Sequence, residues 1–228
     1  MIEDIKQHAL ECYPRECCGV VIVFKGREKY IPCKNIATDP KQFLIDPMDY
    51  AKAADKGEVI KIVHSHCDQS PEPSQADIKG CNESGLDWLI ISVPTMKVYE
   101  FSPSREVVPL FGRQFTHGIL DCYTFIRDYY QQILNIELPD FERRDNWWHA
   151  DDNLYVNNFE KAGFRRVDEL QEYDVILMQV ASRHPNHGAV FDGNNNIHHH
   201  QVSRLSSTDI YGEFYRKITT HYLRHKDL

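Results

Sequence analysis

Along the first 104 residues, segments whose hydrophobic residues recur at helical spacing alternate with segments that have the pattern of strands. Ile2, Ile5 and Ala9 recur at helical intervals and predict an amphipathic helix over residues 2–12. The run GVVIVF at 19–24 is short and apolar throughout, which predicts a buried strand. The same patterns predict helices at 46–57 and 74–85 and strands at 30–31, 58–66, 86–93 and 97–102. This order indicates an α/β layer with a single sheet flanked by helices.

A different pattern begins after residues 103–112, a segment with two prolines and few helix signals that predicts a linker. Beyond it, helices are predicted at 121–134 and 153–164, strands in YDVILMQV, HGAVFDG and NIHHHQV, and a last helix at 209–225. Helices followed by antiparallel strands indicate an α+β domain. We therefore predict two domains, residues 1–104 and 113–228, joined by a linker over residues 105–112.

Composition and charge exclude several classes of protein. The 228 residues are 42% hydrophobic and 26% charged, as in ordinary globular proteins. The net charge of −8 and the lack of a Lys/Arg-rich block give no electrostatic support for binding nucleic acid or an anionic membrane. No run approaches the ~20 apolar residues of a membrane span. The N-terminus MIEDIKQHAL is acidic where a signal peptide is basic, so we expect a protein of the reducing cytoplasm.

The segment IVHSHCDQSPEPSQAD carries a candidate metal site. His64 and His66 are two apart on a predicted strand and therefore face the same side. Asp77 falls on the first turn of the next helix, for which Ser74 is the expected N-cap. A hydrogen-bonded histidine pair would also fit the strand alone, but the added carboxylate completes the three-ligand set of a catalytic zinc site. A general base must then come from elsewhere, and Glu16 in PRECCG is the candidate.

This pattern of Glu, His-x-His, seven residues, Ser, two residues and Asp resembles the JAMM (MPN+) zinc metallopeptidases, which cleave isopeptide and related amide bonds. The resemblance covers the first domain and implies a single mixed sheet flanked by helices. It implies that His64, His66 and Asp77 bind one zinc ion per chain. It also implies that Glu16 is the catalytic acid/base and that Ser74 helps to hold the tetrahedral intermediate.

A second constellation lies in the second domain. In HGILDCYTFIRDYY, Cys122 is placed just inside a predicted helix N-terminus, where backbone N–H groups and the helix dipole favour the thiolate. We therefore expect the pKa of Cys122 to be lowered. His187 opens the strand in HGAVFDG and could serve as the base of a nucleophilic thiol.

The segments DCYTF, DVILMQ, HGAVFDG and IHHH occur in the order found in the NlpC-type cysteine peptidases, papain-like enzymes that cleave bacterial cell-wall peptides, and this part of the chain resembles them. The resemblance implies that Cys122 is the nucleophile and His187 the base. The third polar residue of that family falls at His199, with His198 as the rival because the register of the preceding turn is open. If His199 points inward, His198 and His200 should face away.

A JAMM-type module followed by an NlpC-type module in one short chain resembles the tail tip assembly proteins of lambda-like phages. The resemblance implies other phage tail tip proteins as partners, and tail proteins or peptidoglycan stem peptides as substrates. It places the protein in the host cytoplasm during assembly and at the virion tail tip. Two alternatives remain open: a bacterial cell-wall peptide hydrolase, and a structural tail component with inactive sites.

Overall fold

The structure is a computed structural model that describes residues 1–104, 107–144, 147–149 and 153–228. The chain forms two compact units, Met1–Val107 and Val108–Leu228. Residues 105 and 106 of the predicted linker lie outside the described residues. Each unit is described separately below.

The first unit alternates helices and strands in the predicted order. Its elements are α1 (Ile2–Cys12), β1 (Cys18–Phe24), β2 (Arg27–Cys33), α2 (Pro47–Ala54), β3 (Glu58–Cys67), α3 (Gln75–Ser84), β4 (Asp87–Val93) and β5 (Val98–Phe101).

The five strands form one sheet in the order β2-β1-β3-β4-β5, in which only the β3–β4 pair is parallel. Ile5 and Ala9 of α1 pack against one face of the sheet. Ala53 of α2 and Cys81 of α3 pack against the other face. The prediction of a single mixed sheet flanked by helices is therefore confirmed.

Side-chain caps set where the helices of this unit begin. The Asp46 carboxylate accepts the backbone N–H of Met48 at 2.8 Å and starts α2. Ser74 and Asp77 form a reciprocal capping box that starts α3. Gly85 ends α3 with φ of 66°, a left-handed conformation that glycine adopts without steric cost. The predicted N-cap at Ser74 is confirmed.

The second unit combines short helices with one antiparallel sheet, which confirms the predicted α+β class. Its elements are α4 (Cys122–Tyr129), which continues as a π-helical turn (Tyr130–Leu134), a 3₁₀ turn (Trp147–His149), α5 (Leu154–Asn158), β6 (Phe164–Val167), β7 (Val175–Met178), β8 (His187–Phe191), β9 (Asn196–His199), β10 (Ser207–Ile210), α6 (Glu213–Ile218) and β11 (Thr219–His225). The six strands are ordered β10-β9-β8-β7-β11-β6.

The predicted helix over residues 209–225 is wrong. The segment contains the end of β10, the short helix α6 and the whole of β11, which lies between β7 and β6. Leu223 and His225, two positions apart, are both buried, as expected of a strand. The predicted helix over residues 153–164 is also too long, because α5 ends at Asn158.

A buried ion pair fixes the start of α4. The carboxylate of Asp121, the N-cap, accepts the backbone N–H of Thr124 at 2.9 Å and the Nε–H of Arg143 at 2.6 Å. Arg143 also donates to the Gly118 carbonyl and to the Thr124 hydroxyl, each at 3.0 Å. Both charged side chains are almost fully buried. The position of Cys122, the first residue of α4, therefore depends on this pair.

Arg143→Ala should strongly destabilise the second unit, because it leaves the Asp121 carboxylate buried without its counter-charge. Removing one partner of a buried pair costs about 3–5 kcal/mol. Native-state amide hydrogen exchange of α4 should report a loss of this size. Arg144→Ala is the matched control, since Arg144 is exposed and pairs only with exposed Glu142 among the described residues. Equal hydrogen-exchange protection of α4 in the two variants would contradict the role of the Asp121–Arg143 pair in stabilising α4.

Candidate active sites

The first site lies where the carboxyl end of β3 meets the first turn of α3. His64 and His66 face the same side of β3, and their Nε2 atoms are 3.2 Å apart. Asp77 reaches both rings, with Oδ1 3.2 Å from His64 Nε2 and Oδ2 3.2 Å from His66 Nε2. Zinc bonds of ~2.0–2.1 Å in a tetrahedron separate neighbouring ligand atoms by about 3.3 Å. The cluster therefore has the donor types and the spacing that zinc requires.

The surroundings of the two rings hold them in place. His66 Nδ1 bonds to the Ser70 carbonyl at 2.7 Å, which requires the proton on Nδ1 and leaves the Nε2 lone pair free. His64 stacks on Phe43, with ring centroids 4.3 Å apart, and meets Trp88 edge-on at 5.5 Å. Aromatic packing orients His64, whose buried Nδ1 has no hydrogen-bond partner among the described residues.

The predicted Ser74 lies at the edge of this cluster as the N-cap of α3. Its N–H donates to Asp77 Oδ2 at 2.7 Å, and its Oγ accepts the Asp77 backbone N–H at 3.2 Å. Burial would raise the pKa of Asp77, but the charge of His64 and the hydrogen bonds from His64, His66 and Ser74 outweigh it and hold the pKa well below its usual range. Ser74 thus helps to orient an ionised carboxylate toward both histidines.

Glu16, the predicted acid/base, is buried just before β1 and interacts electrostatically with the cluster. Burial raises the pKa of its carboxyl to about 8, with His66 lowering it and Asp77 raising it further. The backbone carbonyl of Glu16 accepts a hydrogen bond from Asn35 at 2.9 Å, which anchors this segment. A carboxyl with a pKa near neutral can both accept and donate a proton.

The second site is a groove of about 600 Å³ in the second unit, and both Cys122 and His187 line it. The start of α4 supplies Cys122, and β8 supplies His187. Gly188 allows the close approach of helix to strand, since a Cβ there would lie 2.8 Å from Ile126 of α4. Aromatic residues form much of the remaining wall: Phe115, Trp147, Trp148, Tyr155, Phe214 and Tyr215.

The structure brings His199, rather than His198, to His187. His187 Nε2 and His199 Nδ1 are 2.9 Å apart, and both rings are buried. His198 instead bonds to the Thr208 hydroxyl at 2.8 Å on the other face of the strand. The expectation that His200 faces away is wrong. Because β9 ends at His199, the chain leaves the strand and buries His200 in the groove wall.

The prediction of a lowered Cys122 pKa is also wrong. Burial raises the pKa of this thiol to about 11, and Asp121 adds to the shift. The hydroxyl of Tyr155, 3.1 Å from the sulfur, and the backbone of Gly188 offset only part of it. Burial, with His199 and His200, lowers the pKa of His187 to about 3. At neutral pH the resting pair is therefore an uncharged thiol and an uncharged imidazole.

Sequence reasoning missed Tyr155, the residue whose hydroxyl contacts the sulfur of Cys122. It lies in α5, 33 positions along the chain, and is 8% exposed. The segment NLYVNN predicts only an amphipathic helix, so nothing in the local sequence marks this tyrosine.

No helix among the described residues is long and apolar enough to cross a bilayer.

Comparison with known families defines the class of protein. Residues 1–105 match the prokaryotic homologs of the JAB domain, and residues 112–224 match the NlpC/P60 family. A JAB1/MPN domain protein from Archaeoglobus fulgidus is 19% identical over 45% of this chain and 91% of its own, with a TM-score of 0.29. The chain thus combines a JAB-like domain with an NlpC/P60 domain.

Relatives that match most of the chain identify the family. The tail tip assembly protein K of Escherichia phage N15 is 37% identical over 231 residues, which covers all of this chain and 95% of the relative. The protein of the same name from Escherichia phage lambda is 36% identical over 184 residues, covering 80% of this chain and 89% of the relative. The chain belongs to the tail tip assembly protein K family.

Alkylation of Cys122 by iodoacetamide should accelerate steadily with pH. Only the thiolate reacts, and with a pKa of about 11 the rate should rise about tenfold per unit from pH 7 to 9 without levelling. Mass spectrometry of the labelled peptide measures this rate, and Cys122→Ser is the blank. A rate that levels near pH 7 would show a preformed thiolate and contradict the resting state described above.

Proposed function

We propose that this protein acts in phage tail tip assembly and carries two peptidase sites, a zinc-dependent site in the first unit and a thiol site in the second. The supporting observation is that each set of residues expected from the sequence converges in space. Three ligand atoms of His64, His66 and Asp77 lie within 4.8 Å of one another. Cys122 and His187 line one groove, and His199 completes the set.

In the first site, His64, His66 and Asp77 would hold the metal. Zinc bound there supplies a Lewis acid and lowers the pKa of its water to about 7. Glu16 is positioned to take up a proton from the attacking water and to return it to the leaving amine. Burial raises the pKa of Glu16 to about 8, and the positive charge of a bound cation would lower that pKa toward neutrality, where the carboxyl can take part in both steps. Ser74, an exposed residue at the edge of the cluster, would help to stabilise the tetrahedral intermediate through its hydroxyl.

In the second site, proton transfer must accompany attack, because Cys122 and His187 are uncharged at rest. The sulfur of Cys122 attacks the substrate carbonyl carbon while its proton moves to His187. The amide C–N bond breaks, and the amine leaves with that proton. Water then hydrolyses the thioester, with His187 as base, and restores the thiol.

The two relatives named above are tail tip assembly proteins, so we infer other tail tip proteins as partners and the host cytoplasm and the tail tip as sites of action. Tail proteins and peptidoglycan stem peptides are the two substrate classes. The NlpC/P60 family match of the second unit favours a stem peptide for the thiol site.

One observation favours a structural role with inactive sites as the second candidate. Cys122 is only 7% exposed, and its sulfur contacts the hydroxyl of Tyr155. A substrate must displace or bypass that contact to reach the sulfur. If the contact with Tyr155 is never released, the thiol site stays inactive and the protein functions in assembly alone.

Cleavage assays with the full chain distinguish these candidates. Isolated peptidoglycan stem peptides and tail tip proteins are incubated with the zinc-supplemented protein, and new termini are identified by mass spectrometry. Cys122→Ala should slow cleavage at one set of bonds at least about a hundredfold, and Glu16→Gln should do so at another. Cys12→Ala, a thiol remote in sequence from Cys122, is the matched control. Unchanged cleavage in both active-site variants, or none in the wild type, would favour the structural role.

A further inference from the structure

The hydrogen bond between His187 and His199 can hold its proton in two ways. Either His187 Nε2 donates to His199 Nδ1, or the reverse, across the same 2.9 Å. Since Nε2 of His187 is occupied by this bond, only its Nδ1 remains for Cys122. When Nε2 carries the proton, Nδ1 is a free base. In the reverse arrangement Nδ1 carries the proton and cannot accept one from the thiol.

The surroundings of His199 Nε2, the ring nitrogen that does not contact His187, determine which of these arrangements is favoured. His199 Nε2 is buried and makes no hydrogen bond of acceptable geometry to any residue that the structure describes. Asp209 Oδ2 lies 3.3 Å from it, at ion-pair distance. An ionised carboxylate can only accept protons, so Asp209 favours the proton on His199 Nε2. His199 Nδ1 is then an acceptor, and His187 must donate through Nε2.

Asp209 is held ionised and in place by its neighbours. Tyr215 donates its hydroxyl to Oδ2 at 2.6 Å, and Arg204 donates to the same atom at 3.1 Å. Burial would raise the pKa of Asp209, but these donors and His199 hold it below the usual range. The position follows from the sheet register, in which β10 pairs with β9 and Ser207 lies opposite His199.

The other charged or titratable groups that face His199 do not compete for this role. Arg204 is a cation and cannot accept a proton, and it lowers the pKa of His199, as does His198. The Tyr215 ring meets His199 edge-on at 5.4 Å, while its hydroxyl is committed to Asp209. Burial is the largest influence on His199 and keeps it neutral.

We propose that Asp209 is a positioning residue that acts through His199 to orient the proton of the His187–His199 pair, so that His187 Nδ1 is the base for Cys122. The inference rests on the proposed thiol site for its purpose, but the proton arrangement exists whether or not the site cleaves a substrate. It extends the expected set of Cys122, His187 and His199 by a fourth member on β10.

Side-chain ¹H–¹⁵N NMR of the full chain at pH 7 measures the arrangement directly. In the wild type, His187 and His199 should both carry their proton on Nε2. Asp209→Asn keeps the size of the side chain but can donate an amide N–H to His199 Nε2, so both tautomers should reverse or become mixed. Asp227→Asn is the matched control, because Asp227 is an exposed carboxylate 3.6 Å from His225. It should leave both rings unchanged.

The outcomes separate the inference from the proposed function. Unchanged tautomers in Asp209→Asn, or a wild-type His199 protonated on Nδ1, would overturn the role of Asp209. The tautomer of wild-type His199 is measured without any variant, so it tests the role of Asp209 even if Asp209→Asn fails to fold. Asp209→Glu, which restores an acceptor-only carboxylate, should return part of the population of both rings to the Nε2 tautomer. Reversed tautomers together with a wild type that cleaves nothing would support Asp209 and refute the peptidase function.

Discussion

Polar and charged groups buried in this protein need partners of matching charge or hydrogen-bonding capacity, and this need organises both sites. Asp121 illustrates it most clearly. Its carboxylate caps α4, accepts Arg143 and is almost completely buried, so the helix that carries Cys122 starts where this pair allows. Without the pair, burial of either charge would cost several kcal/mol. The location of Cys122 is thus a consequence of charge compensation as well as of helix packing.

The two units meet this need in different ways. In the first, His64, His66 and Asp77 converge from a strand end and a helix start, and their ring nitrogens and carboxylate oxygens lie 3.2 Å apart. A divalent cation would satisfy all three side chains at once. In the second, the chain provides partners of its own, because Cys122 contacts Tyr155 and His187 bonds to His199. The thiol of Cys122 and the imidazole of His187 are both uncharged at rest.

What could be predicted from the sequence depended on how local the determining contacts are. The same-side placement of His64 and His66 follows from the period of a strand, and the cap at Ser74 follows from a four-residue pattern, so both were predictable. The strand character of β11 was not, because it comes from pairing with β7 and β6 rather than from its own residues. The raised pKa of Cys122 likewise depends on burial in the folded second unit, which brings together residues from distant parts of the chain.

The zinc content of the purified full chain tests most directly whether a cation completes the first site. Protein supplied with zinc and then dialysed should retain about one ion per chain by elemental analysis. His64→Ala and Asp77→Ala should lose it, whereas His8→Ala should keep it, since His8 bonds to Tyr30 on α1's side of the sheet. A folded wild type that retains no zinc, or equal retention in all three variants, would contradict the account.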